Sequence, residues 1–445
     1  MQFVKGIEDL LWVAILIGVM INIHELGHFW MARFFDVRVD TFSFGFGPRL
    51  FGFRRGETDY RLSLIPFGGY VKMAGDQSSD DATSNDPRSV LAKPRWQRLL
   101  IAFAGPFMNA VLAVGLLTGM YMASFSTPSP ADLAPVIGGV LPDSPAAKAG
   151  IQPGDRIVAL DGKADPTWED ISLKEDTSAY RPMSVTAERD GRRFDTTVTP
   201  TLDEFSGVGS AGWAKRGEVE IYNVSPGMPA AKAGLKPGDV ILTADGQPVQ
   251  STIKLQEVTK SSGGRPVTLE YERKGRKYTV TMAPVFEKKD GPPRWMIGVG
   301  PALKPHYINS RLSLPEAFRE SLRENKKGAR MLVQVLEGLV QRRMSAKNIT
   351  GPIGMIQLSG NAAREGASVF LGLMAVVSLQ LAIFNLLPIP ILDGGVILML
   401  LIEMAMQRDL SMNVKEAVLK LGFVFIMLLV AFVVYNDIAK MLPPG

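Results

Sequence analysis

The chain has 445 residues, of which 46% are hydrophobic and 21% are charged, and it contains no cysteine. The lack of cysteine excludes disulfide frameworks, thiolate metal sites and cysteine nucleophiles. The net charge of +5 does not indicate nucleic acid binding, because the basic residues form no DNA- or RNA-reading motif and a membrane surface explains the excess equally well. At this charge content, a mean hydropathy of +0.11 requires apolar residues to be segregated along the chain.

Four apolar windows predict four transmembrane helices, since about 20 helical residues span a bilayer. They run from Leu10 to His24, from Leu99 to Ala131, from Gly366 to Leu392 with a continuation to Ile402, and from Leu421 to Asn436. The last window has only 16 residues, so we expect Lys420 and Lys440 to snorkel to the interfaces. A secretory signal peptide is the alternative for the first window, but no small-x-small cleavage site follows it.

Basic residues near the ends of the windows predict the orientation of the chain. Two arginines follow the first window and three basic residues precede the second, at Arg33, Arg38, Lys93, Arg95 and Arg98. The positive-inside rule then places segment 29–98 in the cytoplasm, with both termini and the long middle segment outside. In a bacterium the outside is the periplasm, so the sequence predicts a multi-pass protein of the bacterial inner membrane with its active site near the cytoplasmic side.

The polar middle segment, from about 126 to 367, contains a duplication. Residues 145–162 return 84 positions later as residues 229–246, and 12 of the 18 positions are identical. In each copy, Pro-Ala-Ala-Lys-Ala-Gly predicts a short helix ended by glycine, Pro-Gly-Asp a turn, and Asp-Gly a hairpin, with strands such as 267–271 and 278–282. The copies resemble PDZ domains of the bacterial periplasmic type, which bind extended peptides by strand addition. A role as spacer or steric screen is the alternative.

A basic amphipathic helix is predicted after the second copy. Ser313-Leu-Pro-Glu316 is a capping box, and the helix that it begins extends through Arg343. Such a helix usually lies on a membrane surface, although an ordinary solvated helix also fits the pattern.

The predicted fold class is a polytopic α-helical membrane protein with four transmembrane helices, a membrane-associated β-hairpin and two periplasmic PDZ-like α+β domains. The expected boundaries are 1–125 for the first two membrane helices with the hairpin, 126–215 and 216–303 for the two PDZ-like copies, 304–366 for amphipathic helices on the periplasmic membrane surface, and 367–445 for the last two membrane helices.

The hairpin is predicted in the cytoplasmic loop. Residues 60–64 alternate apolar and polar side chains, and residues 67–73 follow across a turn, so we expect a hairpin that dips toward the membrane. An exposed edge near Gly68 and Gly69 would be able to hold a substrate as an added strand. A hairpin that only connects helices is the alternative.

The sequence His24-Glu25-Leu-Gly-His28 lies in the first membrane window. Residues four apart share a helix face, so both imidazoles can ligate one metal while Glu25 stands beside an attacking water. Ionisable residues inside a membrane helix are costly and therefore mark function. Zinc is the expected metal, because histidine and carboxylate ligands with one open position suit catalytic zinc.

Asp393 is the expected third ligand, because it is the only charged residue in the third window and coordination offsets the cost of burying it. His306 has suitable chemistry, but it lies in the segment predicted outside, whereas the first helix places its histidines near the cytoplasmic end. The segment 385–395 around Asp393 contains two prolines, which favour irregular backbone as the wall of an active site.

These motifs, together with Gly105-Pro-x-x-Asn109 in the second window, resemble the site-2 protease family of intramembrane metalloproteases over essentially the whole chain. The resemblance implies that His24, His28 and Asp393 bind zinc and that Glu25 is the catalytic acid/base. It also implies that the amide of Asn385 contacts the substrate backbone. Asn109 is also expected to bind substrate. The implied substrates are single-span membrane proteins, typically an anti-sigma factor already cut on the periplasmic side, with remnant signal peptides as a second candidate class.

The expected partners are such substrates and the lipid bilayer, with no nucleic acid, and the chain is expected to be a monomer. The rival function is a membrane-tethered PDZ scaffold with a vestigial metal site. A transporter is disfavoured, because the four predicted helices show no repeat symmetry.

Overall fold

The computed structural model describes residues 2–75, 86–123, 125–128, 134–203, 206–287, 293–345 and 351–441. The chain divides into two compact units. The membrane unit comprises Met1–Phe125, Ser310–Leu332 and Ile349–Leu442, and the insert unit comprises Ser126–Asn309, Val333–Asn348 and Pro443–Gly445.

The helices are α1 (Gln2–Phe34), α2 (Arg95–Ala123), α3 (Pro145–Lys148), α4 (Trp168–Asp176), α5 (Pro229–Lys232), α6 (Thr252–Ser261), α7 (Leu314–Val340), α8 (Pro352–Glu365), α9 (Ala367–Asn385), α10 (Asp393–Met406) and α11 (Met412–Met441). The strands are β1 (Val39–Arg55), β2 (Thr58–Met73), β3 (Phe125–Pro128), β4 (Ile137–Val140), β5 (Arg156–Leu160), β6 (Lys163–Ala164), β7 (Met183–Arg189), β8 (Arg192–Val198), β9 (Thr201–Leu202), β10 (Gly209–Ser210), β11 (Trp213–Lys215), β12 (Val219–Val224), β13 (Val240–Ala244), β14 (Gln247–Pro248), β15 (Val267–Arg273), β16 (Arg276–Met282), β17 (Val285–Glu287), β18 (Arg294–Met296), β19 (Val299–Leu303) and β20 (Tyr307–Ser310).

Within the described part of the chain, four helices are long and apolar enough to cross a membrane, α1, α2, α9 and α11, as the four apolar windows predicted. The limits differ for the last three: α2 ends at Ala123, before the predicted Ala131, and the strand β3 follows it. The third window breaks after Asn385, because two prolines interrupt the helical hydrogen bonds, and α10 begins only at Asp393. The fourth window lies inside a longer helix, since α11 has 30 residues and contains both Lys420 and Lys440, and the snorkelling of these lysines stays a prediction.

Close backbone packing of α1 on α2 positions the histidine segment. Gly27 lies against α2, where an added Cβ would stand 2.2 Å from the carbonyl oxygen of Ala104. Leu16 and Met20 of α1 pack with Phe370 and Met374 of α9 in a buried apolar cluster. At the level of His24 and His28, α1 and α2 therefore meet with almost no side chain between them.

The sheet of the membrane unit is more extensive than the sequence predicted. Residues 39–46 of β1 pair with both ends of β2, so that Phe42 faces Val71 on one side and Tyr60 on the other, while residues 49–55 pair with the beginning of β2. The predicted pairing of residues 60–64 with 67–73 is therefore wrong. The outer half of β1 is apolar at exposed positions, including Phe51, and this lack of alternation hid the first strand.

The insert unit repeats one architecture twice. The first copy has a four-stranded sheet in the order β6-β5-β7-β8, and the second has a six-stranded sheet in which β16-β15-β13-β12-β19 follow one another and β14 pairs with β13. The short helices α3 and α5, the hairpins and the strands β15 and β16 confirm the local predictions for the copies. Asp161 and Asp245 adopt φ of 46° and 48° before glycine, as tight hairpin turns require.

The predicted capping box begins α7. The side chain of Glu316 accepts hydrogen bonds from the backbone nitrogen and the hydroxyl of Ser313, and the helix then continues to Val340. Residues 310–332 belong to the membrane unit and residues 333–348 to the insert unit.

Candidate active site

Three predicted ligands converge on one buried point. The Nε2 atoms of His24 and His28 lie 3.1 Å apart. Oδ2 of Asp393 lies 3.1 Å from Nε2 of His24, and Oδ1 lies 3.4 Å from Nε2 of His28. His306 belongs to the insert unit, and its Nε2 lies 3.6 Å from a carboxylate oxygen of Glu218.

This donor set fits zinc. Ligand bonds of ~2.0–2.1 Å in a tetrahedron place donor atoms ~3.3 Å apart, close to the three observed separations. Among the described residues, His24, His28 and Asp393 form the one group of three or more such side chains with donor atoms within 4.8 Å of one another. Two nitrogens and one carboxylate leave a fourth tetrahedral position for water or substrate.

A backbone carbonyl of α2 orients His28. Nδ1 of His28 lies 2.8 Å from the carbonyl oxygen of Ile101, so Nδ1 carries the proton and donates it. Nε2 then keeps its lone pair, and this nitrogen faces Asp393. The contact therefore selects the tautomer that a metal ligand needs.

Asn109 orients His24 from the same helix. Its side chain is fully buried, and its Nδ2 lies 3.2 Å from Nδ1 of His24, while its Oδ1 has no hydrogen-bond partner among the described residues. Turning the amide by 180°, which leaves its shape unchanged, lets Oδ1 accept a proton from Nδ1. Nε2 of His24 then also presents a lone pair. The hydroxyl of Ser378 donates to the backbone oxygen of Asn109 at 2.9 Å and ties α9 to this position.

Gly105 leaves the space that both imidazoles occupy. An added Cβ would stand 2.3 Å from Nε2 of His28 and 2.8 Å from Cε1 of His24. Any side chain at this position would displace a ligand. The requirement for glycine here comes from close approach, not from its backbone angles.

Glu25 connects the helix to the sheet. Its Oε2 accepts a hydrogen bond of 3.1 Å from the backbone nitrogen of Val71, on β2. Residues 69–73 of β2 pair with β1 on their other side. The carboxylate therefore lies between the two histidines in sequence and at the border of the sheet in space.

A cavity of about 520 Å³ brings together five of the eight predicted site residues, while Asn109, Gly68 and Gly69 do not line it. It is lined by Glu25, the three ligands and Asn385, and by Tyr70, Val71 and Met73 of β2. Gly68 and Gly69 precede this lining stretch and lie against Phe46 and Asn22, respectively.

The loop before Asp393 is tightly folded. An added Cβ at Gly394 would stand 2.2 Å from the carbonyl oxygen of Leu387, and one at Gly395 would stand 2.4 Å from that of Ile389. Ile391 adopts φ of 82°, which is strained for a β-branched residue, and it lines the cavity. The loop thus fixes where α10 begins and where Asp393 stands.

Sequence reasoning missed the contacts that come from backbone atoms. The carbonyl of Ile101 and the amide of Val71 belong to apolar residues, whose side-chain types carry no signal of these roles. Asn22 was also missed, although an amide two residues before His24 is unusual in a membrane helix; its Nδ2 donates to the backbone oxygen of Gly18 at 2.7 Å.

Comparison with known proteins gives matches along the chain. Residues 12–429 match Peptidase family M50. The regulator of sigma-E protease RseP of Salmonella typhimurium is 33% identical over 96% of this chain and 97% of its own length, and the RseP of Escherichia coli is 31% identical over 97% and 99%. Among solved structures, the PDZ domain of an SdrC-like protein from Listeria monocytogenes is 25% identical over 20% of this chain and 88% of its own, with a TM-score of 0.17.

Proposed function

The chain belongs to peptidase family M50, and we propose that it is a zinc endopeptidase that cleaves single-span membrane proteins within or beside the bilayer. The observation that carries this proposal is the convergence of His24, His28 and Asp393 on one buried point beside Glu25 and a cavity. Two of the ligands and Glu25 lie on α1, a helix able to cross a membrane.

The chemistry proposed is hydrolysis of a peptide bond. Zinc, when bound, acts as a Lewis acid that polarises the peptide carbonyl and makes water acidic enough to lose a proton near neutral pH. A carboxylate oxygen of Glu25 accepts that proton as the water oxygen bonds to the carbonyl carbon. Glu25 then gives the proton to the leaving nitrogen as the carbon–nitrogen bond breaks. The hydrogen bond from Val71 fixes the direction of the carboxylate during both transfers.

A substrate helix must unwind before its peptide bonds can react, because its own hydrogen bonds shield them. Tyr70, Val71 and Met73 line the cavity on a strand that already pairs with β1 on one side. Addition of the unwound substrate to the other side of this strand would satisfy its freed backbone groups. We propose that the substrate adds along the edge of β2 near Gly68 and Gly69 and that Asn385, at the cavity wall, binds its backbone.

Asn109 has a different proposed role from the one that the sequence suggested. Its side chain is fully buried and contacts His24, so we propose that it orients this ligand and does not reach the substrate.

The substrate class is proposed from the relatives. Proteins named regulator of sigma-E protease match this chain over nearly their full length. We propose that the natural substrate is of the anti-sigma factor type, that the insert unit consists of two PDZ-like domains in the periplasm, and that these domains hinder bulky ectodomains from reaching the site. A chain lacking residues 131–303 is then expected to cleave substrates with intact ectodomains, and continued exclusion of such substrates would refute the filter.

The proposal is tested with the purified full chain in lipid nanodiscs and a single-span reporter with a short ectodomain. Mass spectrometry of the products is expected to show new termini inside the apolar segment of the reporter, with cleavage stopped by 1,10-phenanthroline and restored by added zinc. A reporter that is bound but stays intact in the zinc-loaded sample would instead support the membrane-tethered scaffold.

A further inference from the structure

A cluster of charged residues lies at the far end of α10 from Asp393. It comprises Arg95 and Arg98 of α2, Glu403 of α10, Asp409 of the following loop, and Lys415 of α11, and we name it the Glu403 cluster. Glu403 is fully buried. A buried carboxylate is costly unless several groups compensate it, so its partners define what it holds together.

Glu403 joins α10 to the segment that follows it. Its Oε1 accepts hydrogen bonds from the ammonium of Lys415 at 2.7 Å and from the backbone nitrogen of Leu410 at 3.0 Å. α10 ends at Met406, and Gln407 turns the chain with a left-handed φ of 56°. The carboxylate therefore closes the turn between α10 and α11 from inside.

The same cluster joins α10 to α2. Oε2 of Glu403 lies 3.9 Å from Nη1 of Arg98, and Asp409 accepts a hydrogen bond of 2.9 Å from Nε of Arg95. Nη1 of Arg98 also lies 4.0 Å from Asp409. The contact between α10 and α2 is therefore a charge interaction of Arg98 with Glu403, whose Oε2 has no hydrogen-bond partner among the described residues, together with the hydrogen bond from Arg95 to Asp409 in the loop that follows α10.

α2 is also the helix that orients both histidines, through the carbonyl of Ile101, the amide of Asn109 and the space at Gly105. Asp393 is the first residue of α10, so it is held by the tight loop before it and by the position of α10 itself. Its place therefore also depends on where α10 lies along its own axis. Glu403 stands ten residues later, about 15 Å along the helix, and fixes α10 against α2.

We propose that Glu403 is a positioning residue for the metal centre: by tying α10 to α2 and α11 it sets the distance of Asp393 from His24 and His28. This inference rests on the proposed zinc site. The site tolerates little error, since a displacement of about 1 Å costs about 100-fold in rate. Glu403 itself does not line the active-site cavity and acts through α10, whereas its neighbour Arg98 does line the cavity.

The test uses Glu403→Gln in the full chain, with Glu416→Gln as the matched control. Glu416 lies on α11 near Lys415, but it is exposed and pairs only at the surface with Lys420, at 3.2 Å. The readouts are the visible absorption spectrum of the cobalt-loaded protein, kcat and KM for the single-span reporter, and the thermal unfolding midpoint. Because the spectrum reports the coordination of the metal, it is independent of proteolysis.

We expect Glu403→Gln to change the cobalt spectrum and to lower kcat by about 10- to 100-fold, with KM within about twofold of wild type. Glu416→Gln is expected to match wild type in all readouts, and Lys415→Arg, which keeps the charge, to retain most of kcat. If Glu403→Gln does not fold, Lys415→Met removes the 2.7 Å contact and is measured in the same way.

A folded Glu403→Gln protein with the wild-type cobalt spectrum and wild-type kcat would overturn the inference. So would a loss of activity that is accounted for entirely by a smaller folded fraction. Failure of the proposed function looks different, because the wild-type chain itself would then bind no metal or leave the reporter intact.

Discussion

Buried carboxylates serve two purposes in this molecule, and comparing two of them in the insert unit with Asp393 in the membrane unit shows the difference, although Glu403 of the membrane unit is also structural. In the insert unit, Asp155 and Asp239 occupy the same place in the two copies, and each accepts two hydrogen bonds from one arginine, Arg189 or Arg273. Each also accepts one from a backbone nitrogen of its own turn. In the membrane unit, Asp393 faces two imidazoles and a cavity.

The hydrogen-bond partners of a buried carboxylate therefore indicate whether it stabilises the fold or belongs to the reactive site. A carboxylate held by a bidentate arginine and a backbone amide has all its charge compensated by groups that cannot leave. A carboxylate held only by imidazoles has partners that can bind a metal instead. Glu175 of the insert unit shows a third arrangement, since its carboxylate accepts hydrogen bonds from the backbone nitrogen of Ala211 and the indole of Trp213.

The largest effect is expected for Asp393→Asn. The amide is a weaker zinc ligand than the carboxylate, so we predict loss of stoichiometric zinc and a fall in reporter cleavage of at least about 1,000-fold, equivalent to several kcal/mol of transition-state stabilisation. Zinc content and kcat/KM in nanodiscs measure the effect. Hydrogen exchange in the insert unit should stay at the wild-type level; unchanged zinc and cleavage would remove Asp393 from the site.

Asp239→Asn should give the opposite pattern. Breaking its buried pair with Arg273 is expected to destabilise the second copy by about 3 kcal/mol, because it leaves a cation without its counter-charge. Hydrogen exchange in β13 and β15 should become faster, while a reporter with a short ectodomain is cleaved at the wild-type rate. Loss of zinc from the Asp239→Asn variant would contradict the distinction between structural and metal-binding carboxylates.

The environment of Glu175 predicts that the stability of the first copy, and not that of the second, depends on pH. Burial raises the pKa of Glu175 to about 7 from 4.5, and burial also raises the pKa of Asp176 to about 6. The folded copy therefore holds protons that the unfolded chain has released, so its stability is full below pH 4.5 and falls as pH rises through 7. The full change is about 3 kcal/mol for Glu175.

Hydrogen exchange at pH 5 and pH 8, corrected for intrinsic rates, measures this difference. The second copy has Thr259 in the equivalent position, where its hydroxyl donates to the backbone oxygen of Leu255, and it serves as an internal control. Glu175→Gln should remove most of the dependence in the first copy. Equal protection of β7 at both pH values in the wild-type chain would contradict the assignment.

The smallest effect concerns the space beside the ligands. Gly105→Ala places a Cβ where His28 and His24 now lie, so zinc affinity is expected to fall by about 10- to 100-fold. Gly115→Ala is the matched control, since no atom lies within 4 Å of a Cβ there on the same helix. Zinc titration against a competing chelator compares the two variants, and equal affinities would show that α2 does not constrain the ligands.

The sequence predicted what side-chain type and spacing reveal. His24, Glu25 and His28 share a helix at metal-binding spacing, Asp393 is a lone charge in an apolar window, and the duplicated turns repeat recognisable residues. It could not predict β1, because the exposed outer half of that strand mixes Leu50, Phe51 and Phe53 with glycine, proline and arginine and shows no alternation. Nor could it predict the part played by Ile101 or the pairing of Glu403 with Lys415, which depend on helix packing alone.

The most direct test of the central claim is the Glu25→Gln variant, with zinc and cleavage measured in the same nanodisc sample. The substitution keeps the shape of the side chain but removes its ability to accept a proton from water. We predict one zinc per chain, as in wild type, and cleavage of the single-span reporter reduced at least about 1,000-fold. A zinc-loaded Glu25→Gln protein that cleaves the reporter at the wild-type rate would contradict the account.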